Sequence, residues 1–385
     1  MALPLEPARR LHILHLHSTF DAGGKERRSV ALMNRFGGAL EHTVVSAQAD
    51  ALGARSLLAR GVLAHFPLGF PPLAGKPGVR RLQALARAMQ GFDLVCTYNW
   101  GAMDAVMAHA AFAPLFGLPP LVHHEDGFNA DEAERLNPRR NWYRRIALAR
   151  AGALVVPSRL LEDVALSAWH QPAAKVHRIG NGIDTAAFAR KPRPDALPRV
   201  IKRPGEKWVG TMAGLRAVKN LPRMVRAFRH LPEHWQLVIV GEGPERETIL
   251  RTAIDLDIGH RVHLPGAVPD PAAAVGLFDL FALSSDSEQF PLSVVEAMAA
   301  GLAVVAPAVG DVAAIVSEEN ARFITAPGDE AAFAEALLAL AQDELAQRRI
   351  GASNRVLAQR EYDESVMVQR YAQVYAQVMG RTRFP

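Results

Sequence analysis

The chain reads as an α/β protein built from two Rossmann-like parallel-sheet domains. Three observations predict this. Short apolar runs of strand length alternate with helical stretches along the whole sequence. Those runs open into polar or glycine-bearing loops, the side of a parallel sheet on which ligands bind. A length of 385 residues is too great for one core of ordinary size and suits two domains.

Taken in order, Leu11–His17 is a first strand, Ser18–Gly24 a turn, and Lys25–Phe36 a helix with apolar Val30, Leu32, Met33 and Phe36. Gly23 and Gly24 let backbone N–H groups approach a phosphate or sugar without a side chain intervening. The spacing is not G-x-G-x-x-G, so a dinucleotide is not implied. His15 and His17 share one strand face while His12 points to the other, and two ligands without a third do not make a metal site. His42–Ser46 is a strand, Arg55–Arg60 a short helix, Val62–Phe66 a weak strand and Pro67–Gly78 a flexible loop suited to ligand contact. Helix Arg80–Met89, strand Leu94–Thr97 and helix Ala102–Ala111 follow. Strand Pro120–His124 then runs into the polar loop Glu125–Asn129. A histidine pair and two acids at a strand C-terminus are placed for a ligand, with a hydrogen-bonded loop as the competing reading.

Strands Ala153–Ser158 and Lys175–Ile179 lead to the turn Gly180–Asp184. Residues 190–207 are rich in proline and basic side chains and read as a linker or insertion. The second domain opens at Trp208. Its loop Thr211–Asn220 precedes helix Leu221–His230, and a glycine loop with two cations at a helix start makes a phosphate cradle. Arg216 offers a bidentate fork and Lys219 a point charge. Strand and turn recur at Trp235–Pro244 and Val262–Gly266. An apolar run, Leu277–Leu283, delivers the stretch Ser284–Gly301, which ends in helix Leu292–Ala300 before strand Ala303–Ala306. Glu288 lies in its loop, and Pro291 sits at the first helical turn, where it loses no needed N–H. Glu296 is set among Val294, Val295, Ala297 and Met298, so its carboxylate calls for a partner. Tyr362–Met379 is a closing amphipathic helix.

Composition narrows the class. Hydrophobic residues make up 49% of the chain with a mean hydropathy near zero, and no apolar run approaches the roughly 20 residues of a membrane span. The N-terminal MALPLEPARR lacks the apolar core of a signal peptide, so a cytoplasmic location is the default expectation. The single cysteine, Cys96, cannot form an intramolecular disulfide and reads as strand packing. The net charge of +5 is spread along the chain, which argues against nucleic-acid binding. Only Arg139–Arg145 concentrates cations with aromatics. It is either a solvated helix face or a peripheral contact with the inner face of an anionic membrane.

The stretch from Glu288 to Gly301 resembles the signature E-x-F-P-x-x-x-x-E-A-M-A-x-G of the retaining GT-B-type glycosyltransferases of family 4, also called glycosyl transferases group 1. Glu288, Phe290, Pro291, Glu296, Ala297, Met298, Ala299 and Gly301 all match. Further likeness lies in Gly23-Gly24, Val156-Pro157-Ser158, Asn181-Gly182-Ile183-Asp184, Lys219-Asn220 and the Val262–Gly266 segment. The resemblance implies a GT-B architecture, with two Rossmann-like domains facing across a cleft. Residues 1–188 would be the acceptor domain, with a C-terminal helix at about 362–385 packing back on it, and 189–361 the nucleotide-sugar domain.

It also implies roles for residues. The donor site would comprise Gly24, Lys219, Arg216, Glu288, Gln289, Phe290, Pro291, Leu292, Glu296 and Gly266. The acceptor side would use Gly23, Glu125 and Asp126, the two acids orienting the acceptor hydroxyl or acting as a base. His123, with His124 as the alternative, would contact the transferred sugar, and His123, Glu288, Lys219 and Arg216 would carry catalysis. The family's arginine is missing, since Thr211 takes its place and Arg216 is the replacement at hand. The expected activity is transfer of a sugar, with retention, from a nucleoside-diphosphate sugar (a UDP-sugar favoured) to a saccharide or lipid-linked acceptor in polysaccharide or glycolipid synthesis. No metal or other cofactor is expected, because protein cations hold the diphosphate. A non-catalytic nucleotide-sugar-binding scaffold and a sugar-nucleotide epimerase of the same fold are the alternatives.

Overall fold

In a computed structural model the described residues are 9–128, 132 and 136–385. The start of the N-terminal segment and Asn129 of the polar loop lie outside them. The chain divides into two compact units, Met1–Gly180 with Met367–Pro385, and Asn181–Val366.

The first unit holds, among the described residues, seven parallel strands: β1 (Leu11–His17), β2 (Leu40–Ser46), β3 (Leu63–His65), β4 (Leu94–Tyr98), β5 (Leu121–His124), β6 (Ala153–Val156) and β7 (Val176–Arg178). Their order is β3-β2-β1-β4-β5-β6-β7. Strands β4, β5 and β6 are buried at every position, as expected of parallel strands covered on both faces. Alternation along β1 sends Leu14 and Leu16 to one core with Leu85, Met89 and Val106. Ile13 goes to the other, with Tyr98, Tyr371 and Tyr375. Tyr98 ends β4, while Tyr371 and Tyr375 come from the last helix, Glu364–Val378, which belongs to this unit from Met367 onward.

The second unit holds β8 (Lys207–Met212), β9 (Trp235–Val240), β10 (Val262–Gly266), β11 (Leu280–Ala282), β12 (Ala303–Pro307) and β13 (Ile324–Thr325), in the order β10-β9-β8-β11-β12-β13. Both orders run outward from the first strand and then reverse. The switch point falls between β1 and β4 in the first unit and between β8 and β11 in the second. Loops at the C-terminal ends of that pair of strands are where such sheets bind ligands.

Four local expectations change. Arg55–Arg60 is not an α-helix; a single 3₁₀ segment, Gly53–Leu57, stands there, because the stretch is too short to repay helix nucleation. The weak strand contracts to Leu63–His65 at the sheet edge. Residues 190–207 are not a free linker: Leu197 is buried, Arg193 N donates to Ala273 O at 2.9 Å, and Lys202 Nζ reaches Asp279 at 2.6 Å. The contact division falls after Gly180 where the sequence suggested 188. The intervening residues are tied into the second unit, where Ile183 N bonds Tyr362 O at 3.0 Å and Thr185 Oγ1 donates to Asp363 at 2.5 Å.

Candidate functional site

In the second unit the loops after β8 and β11 lash to each other. The loop leaving β8 is seated by Gly241, whose φ of +145° only glycine adopts readily. A Cβ there would stand 1.8 Å from Ala213 O. The loop then tightens into the 3₁₀ turn Ala217–Lys219, and Asn220 at φ +40° caps helix Leu221–Phe228. The Asn220 amide donates to both Asp286 oxygens at 3.2 and 3.1 Å, Asp286 N donates to Val218 O at 2.9 Å, and Ser284 Oγ donates to Lys219 O at 2.9 Å. Arg223 completes the tie through Ser284 O at 3.1 Å and Asp286 at 2.7 Å.

Across this junction Lys219 Nζ and Glu288 Oε1 stand 2.6 Å apart, with side chains only 16% and 11% exposed. Ser285 Oγ donates to the same Oε1 at 2.6 Å. The Glu288–Gln289 backbone is braced from behind by Gly310 at φ +54°, where a Cβ would lie 2.4 Å from Glu288 O; Asp311 N bonds Gln289 O at 3.1 Å. Buried Pro291 opens helix Leu292–Ala299, whose N-terminus carries no side-chain cap. Its leading N–H groups therefore lack the acceptor that a Ser or Asp cap would supply. Leu292 and Glu296 are half-buried on this helix, and Phe290 packs edge-on against Tyr362 at 5.7 Å. Buried Gln289 Oε1 has no hydrogen-bond partner. Gly266, at φ +97°, leaves room for the Glu242 carboxylate, which would lie 2.8 Å from a Cβ there. Arg216 is exposed, with no side-chain partner among the described residues, and Thr211 is buried with its Oγ1 unpaired.

In the first unit the corresponding loops are more closed. Gly24 is open to solvent. Gly23 instead faces the Glu26 carboxylate, which would lie 2.7 Å from a Cβ at that position. Glu26 also pairs with Lys25 and occupies the first turn of helix Gly24–Phe36, where an anion is favoured. His17 is fully buried, stacked on Tyr98 at 3.9 Å, with neither ring nitrogen bonded; burial, helped by Lys25, holds it neutral. His15 bridges Tyr98 and His42 at 3.0 Å each.

His123 and His124 are both fully buried. His124 Nδ1 donates to Thr97 O at 3.1 Å and its Nε2 meets the Tyr375 hydroxyl at 3.1 Å, so it is saturated. His123 Nδ1 contacts Thr97 Oγ1 at 2.8 Å, while its Nε2, 3.7 Å from Glu125 Oε2, has no hydrogen bond. Glu125 is equally buried: Oε2 accepts from Arg144 Nε at 3.3 Å and Oε1 is unpaired. Orphaned buried polar atoms are costly and rare, and His123 Nε2 and Glu125 Oε1 are two of them side by side. Asp126 is not a free base, since Arg28 holds both its oxygens. Burial alone would lower the Arg28 pKa, but the Asp126 charge outweighs it and raises it.

The basic stretch is a two-faced helix, Pro138–Ala147. Arg144 points inward, fully buried against Glu132 and Glu125 and over the rings of Trp100 and Trp169. Arg139, Trp142, Arg145 and Ile146 face outward. It is therefore not a uniformly solvated basic patch, because the buried Glu132 recruits two of its arginines. Among the described residues no helix is long and apolar enough to cross a membrane, and no cluster of three potential metal ligands forms.

Sequence reading missed Ser284, Ser285, Asp286, Asn220 and Arg223 as loop ties, and the buried arginine pair with Glu132. Only Asn220 and Asn137 carried a local signal: each is an asparagine at a helix start with proline in the first turn.

Fold and site together define a two-unit Rossmann-like protein whose second unit holds a paired lysine and glutamate at its switch point. The profile of Glycosyltransferase Family 4 matches residues 22–187 and that of Glycosyl transferases group 1 matches residues 194–356. The chain belongs to the GT-B glycosyltransferases of family 4. It is 26% identical over 54% of its length to N-acetyl-alpha-D-glucosaminyl L-malate synthase of Bacillus anthracis. It is 36% identical over 35% of its length to the GDP-mannose-dependent alpha-mannosyltransferase of Mycolicibacterium smegmatis. These alignments span 55% and 35% of the relatives' own lengths, so the chain spans about half of the first and about a third of the second. Anabaena HepE, solved with UDP and glucose, is similar in fold. Its TM-score is 0.77 at 19% identity, over 95% of this chain and 100% of that one.

Proposed function

We propose that the protein is a retaining glycosyltransferase that moves a sugar from a nucleoside-diphosphate sugar to a hydroxyl of a saccharide or lipid-linked acceptor. The observation that carries this reading is the Lys219–Glu288 pair at the β8/β11 switch point, beside a helix N-terminus without a side-chain cap. On donor binding Lys219 and Arg216 would hold the diphosphate, with the leading N–H groups of Leu292–Ala299 adding positive potential. Glu288 would accept hydrogen bonds from donor-sugar hydroxyls and Glu296 from the ribose. These two cations would do the work of a metal ion. Arg216 is exposed and unspent, which suits it to replace the arginine that Thr211 displaces.

In the transfer the bond from the anomeric carbon to the diphosphate oxygen breaks, and its electron pair leaves with the diphosphate. The acceptor oxygen forms the new bond on the same face, and its proton passes to the departing phosphate oxygen, the nearest base. No protein nucleophile is required. The first unit would present the acceptor, and the unpaired His123 Nε2 and Glu125 Oε1 are the groups there that a sugar hydroxyl could satisfy. A UDP donor is favoured, in line with the nucleotide bound to the structurally similar Anabaena protein.

One observation favours a second reading, a non-catalytic binding protein: Thr211 in place of the arginine, buried and unpaired. Release of nucleoside diphosphate from a panel of UDP-, GDP- and ADP-sugars, in the presence of pooled saccharide acceptors, separates the two. Turnover with one donor class, and a product whose anomeric proton coupling matches the donor's, is the expected result. Binding without turnover supports the second reading.

A further inference from the structure

We infer that the first unit carries a preformed acceptor pocket that selects a polyhydroxyl ring bearing an anionic group, a phosphate or a carboxylate. The inference rests on the glycosyltransferase reading. The pocket, of about 410 Å³, opens where β4 ends. Trp100, two residues after that strand, and Tyr143 form one wall, their rings edge-on at 5.7 Å. The floor includes Gly101, where a Cβ would collide with the Ser18 Cβ at 2.2 Å, so the end of β1 and the end of β4 close together beneath the ligand space.

The opposite wall is the 73–77 loop, which the sequence suggests is flexible and which is in fact clamped. Arg81 donates to the carbonyls of Pro72 at 3.1 Å and Gly75 at 3.2 Å, to that of Leu73, and to Asp104 at 2.7 Å. A wall held this way needs little ordering when a ligand arrives.

The polar groups are those a sugar needs. Asp104 accepts one bond per oxygen, from Tyr143 at 2.7 Å and Arg81 at 2.7 Å, and each oxygen keeps a lone pair for a hydroxyl. The aromatic rings suit the apolar C–H face of a sugar. The charges then differ in how far they are spent. Arg81 is taken by Asp104, Arg140 by Glu132 at 2.9 Å, and Arg144 by Glu132 and Glu125. Arg139, which also lines the pocket, is exposed and has no side-chain partner among the described residues. A guanidinium left over beside hydroxyl-accepting groups calls for an anion on the same molecule.

The test is calorimetric titration of the whole protein with glucose, glucose 6-phosphate, glucuronate and inorganic phosphate, with UDP titrated in parallel. Glucose 6-phosphate or glucuronate is expected to bind at least tenfold tighter than glucose and than inorganic phosphate, and which of the two wins identifies the anion. R139Q should erase that preference while leaving UDP binding unchanged. W142A, on the outward side of the same helix, should change nothing. Equal binding of charged and neutral sugars, no binding of any probe, or an unaltered preference in R139Q overturns the pocket. Loss of UDP binding in the wild type alone would overturn the donor reading and not this one.

Discussion

Replacing Lys219 separates its structural work from its proposed work on the donor. Lys219 and Glu288 form a 2.6 Å pair with both side chains more than four-fifths buried. Breaking such a pair from one side costs about 3–5 kcal/mol when burial is complete. Here the Ser285 hydroxyl keeps its bond to the same Glu288 oxygen and some water reaches both groups, so we expect about 2–3 kcal/mol for K219M. The double variant K219M/E288Q leaves no unpaired charge and should return to within about 1 kcal/mol of wild type. Urea unfolding of the four proteins in the cycle measures this. Nucleotide affinity should follow a different rule. Loss of a charge-assisted bond to the diphosphate, worth about 1.5–3 kcal/mol, raises the UDP dissociation constant roughly ten- to hundredfold in both K219M and the double variant. A double variant that recovers stability and UDP affinity together would show that Lys219 is only a partner for Glu288.

Other outcomes follow from the same geometry. Gly310→Ala should cost about 1–2 kcal/mol for its left-handed φ and, by pushing on Glu288 O, weaken UDP binding; urea unfolding and titration read the two effects. The first unit should lose stability in acid. Burial lowers the pKa values of His15, His17 and His124, and burial with a minor push from His12 lowers His42 to about 4. The unfolded chain therefore binds more protons below about pH 6.5, so stability is full above that value. It falls toward about pH 4 by up to ~1.4 kcal/mol per pH unit for each histidine, and an unfolding midpoint unchanged between pH 7.5 and 5.5 would contradict this. Turnover should be insensitive to EDTA, since Lys219 and Arg216 are assigned the charge a metal would carry; loss of rate on chelation, restored by a divalent cation, would remove that assignment.

Local patterns carried the architecture. Fully buried strands such as Ala153–Val156 and Ala303–Pro307 announce themselves as apolar runs, and the loops that follow them are fixed by the parallel topology. The Glu288–Gly301 stretch was legible for the same reason, being contiguous in sequence. What sequence did not reveal depends on contacts that only the folded chain makes, whether the partners are near or far along it. The carboxylate that buries Arg144 is Glu132, reached through the fold, so a basic run looked wholly exposed. The Arg81 clamp turns a glycine- and proline-rich loop into a rigid wall through carbonyls that carry no sequence signature. Asp126 looked like a candidate base because Arg28, 98 residues earlier, is invisible as its partner until the sheet is closed.

Binding of a nucleoside-diphosphate sugar by the second unit through Lys219 and Glu296 can be read from thermal unfolding of the wild type, Lys219→Ala and Glu296→Ala against UDP, GDP, ADP and their sugars. The wild type should gain about 2.7 kcal/mol with one nucleotide class at a hundredfold excess over the dissociation constant, and both variants should gain about half of that or less. No shift with any nucleotide, or an equal shift in all three proteins, would show that these residues do not hold a donor.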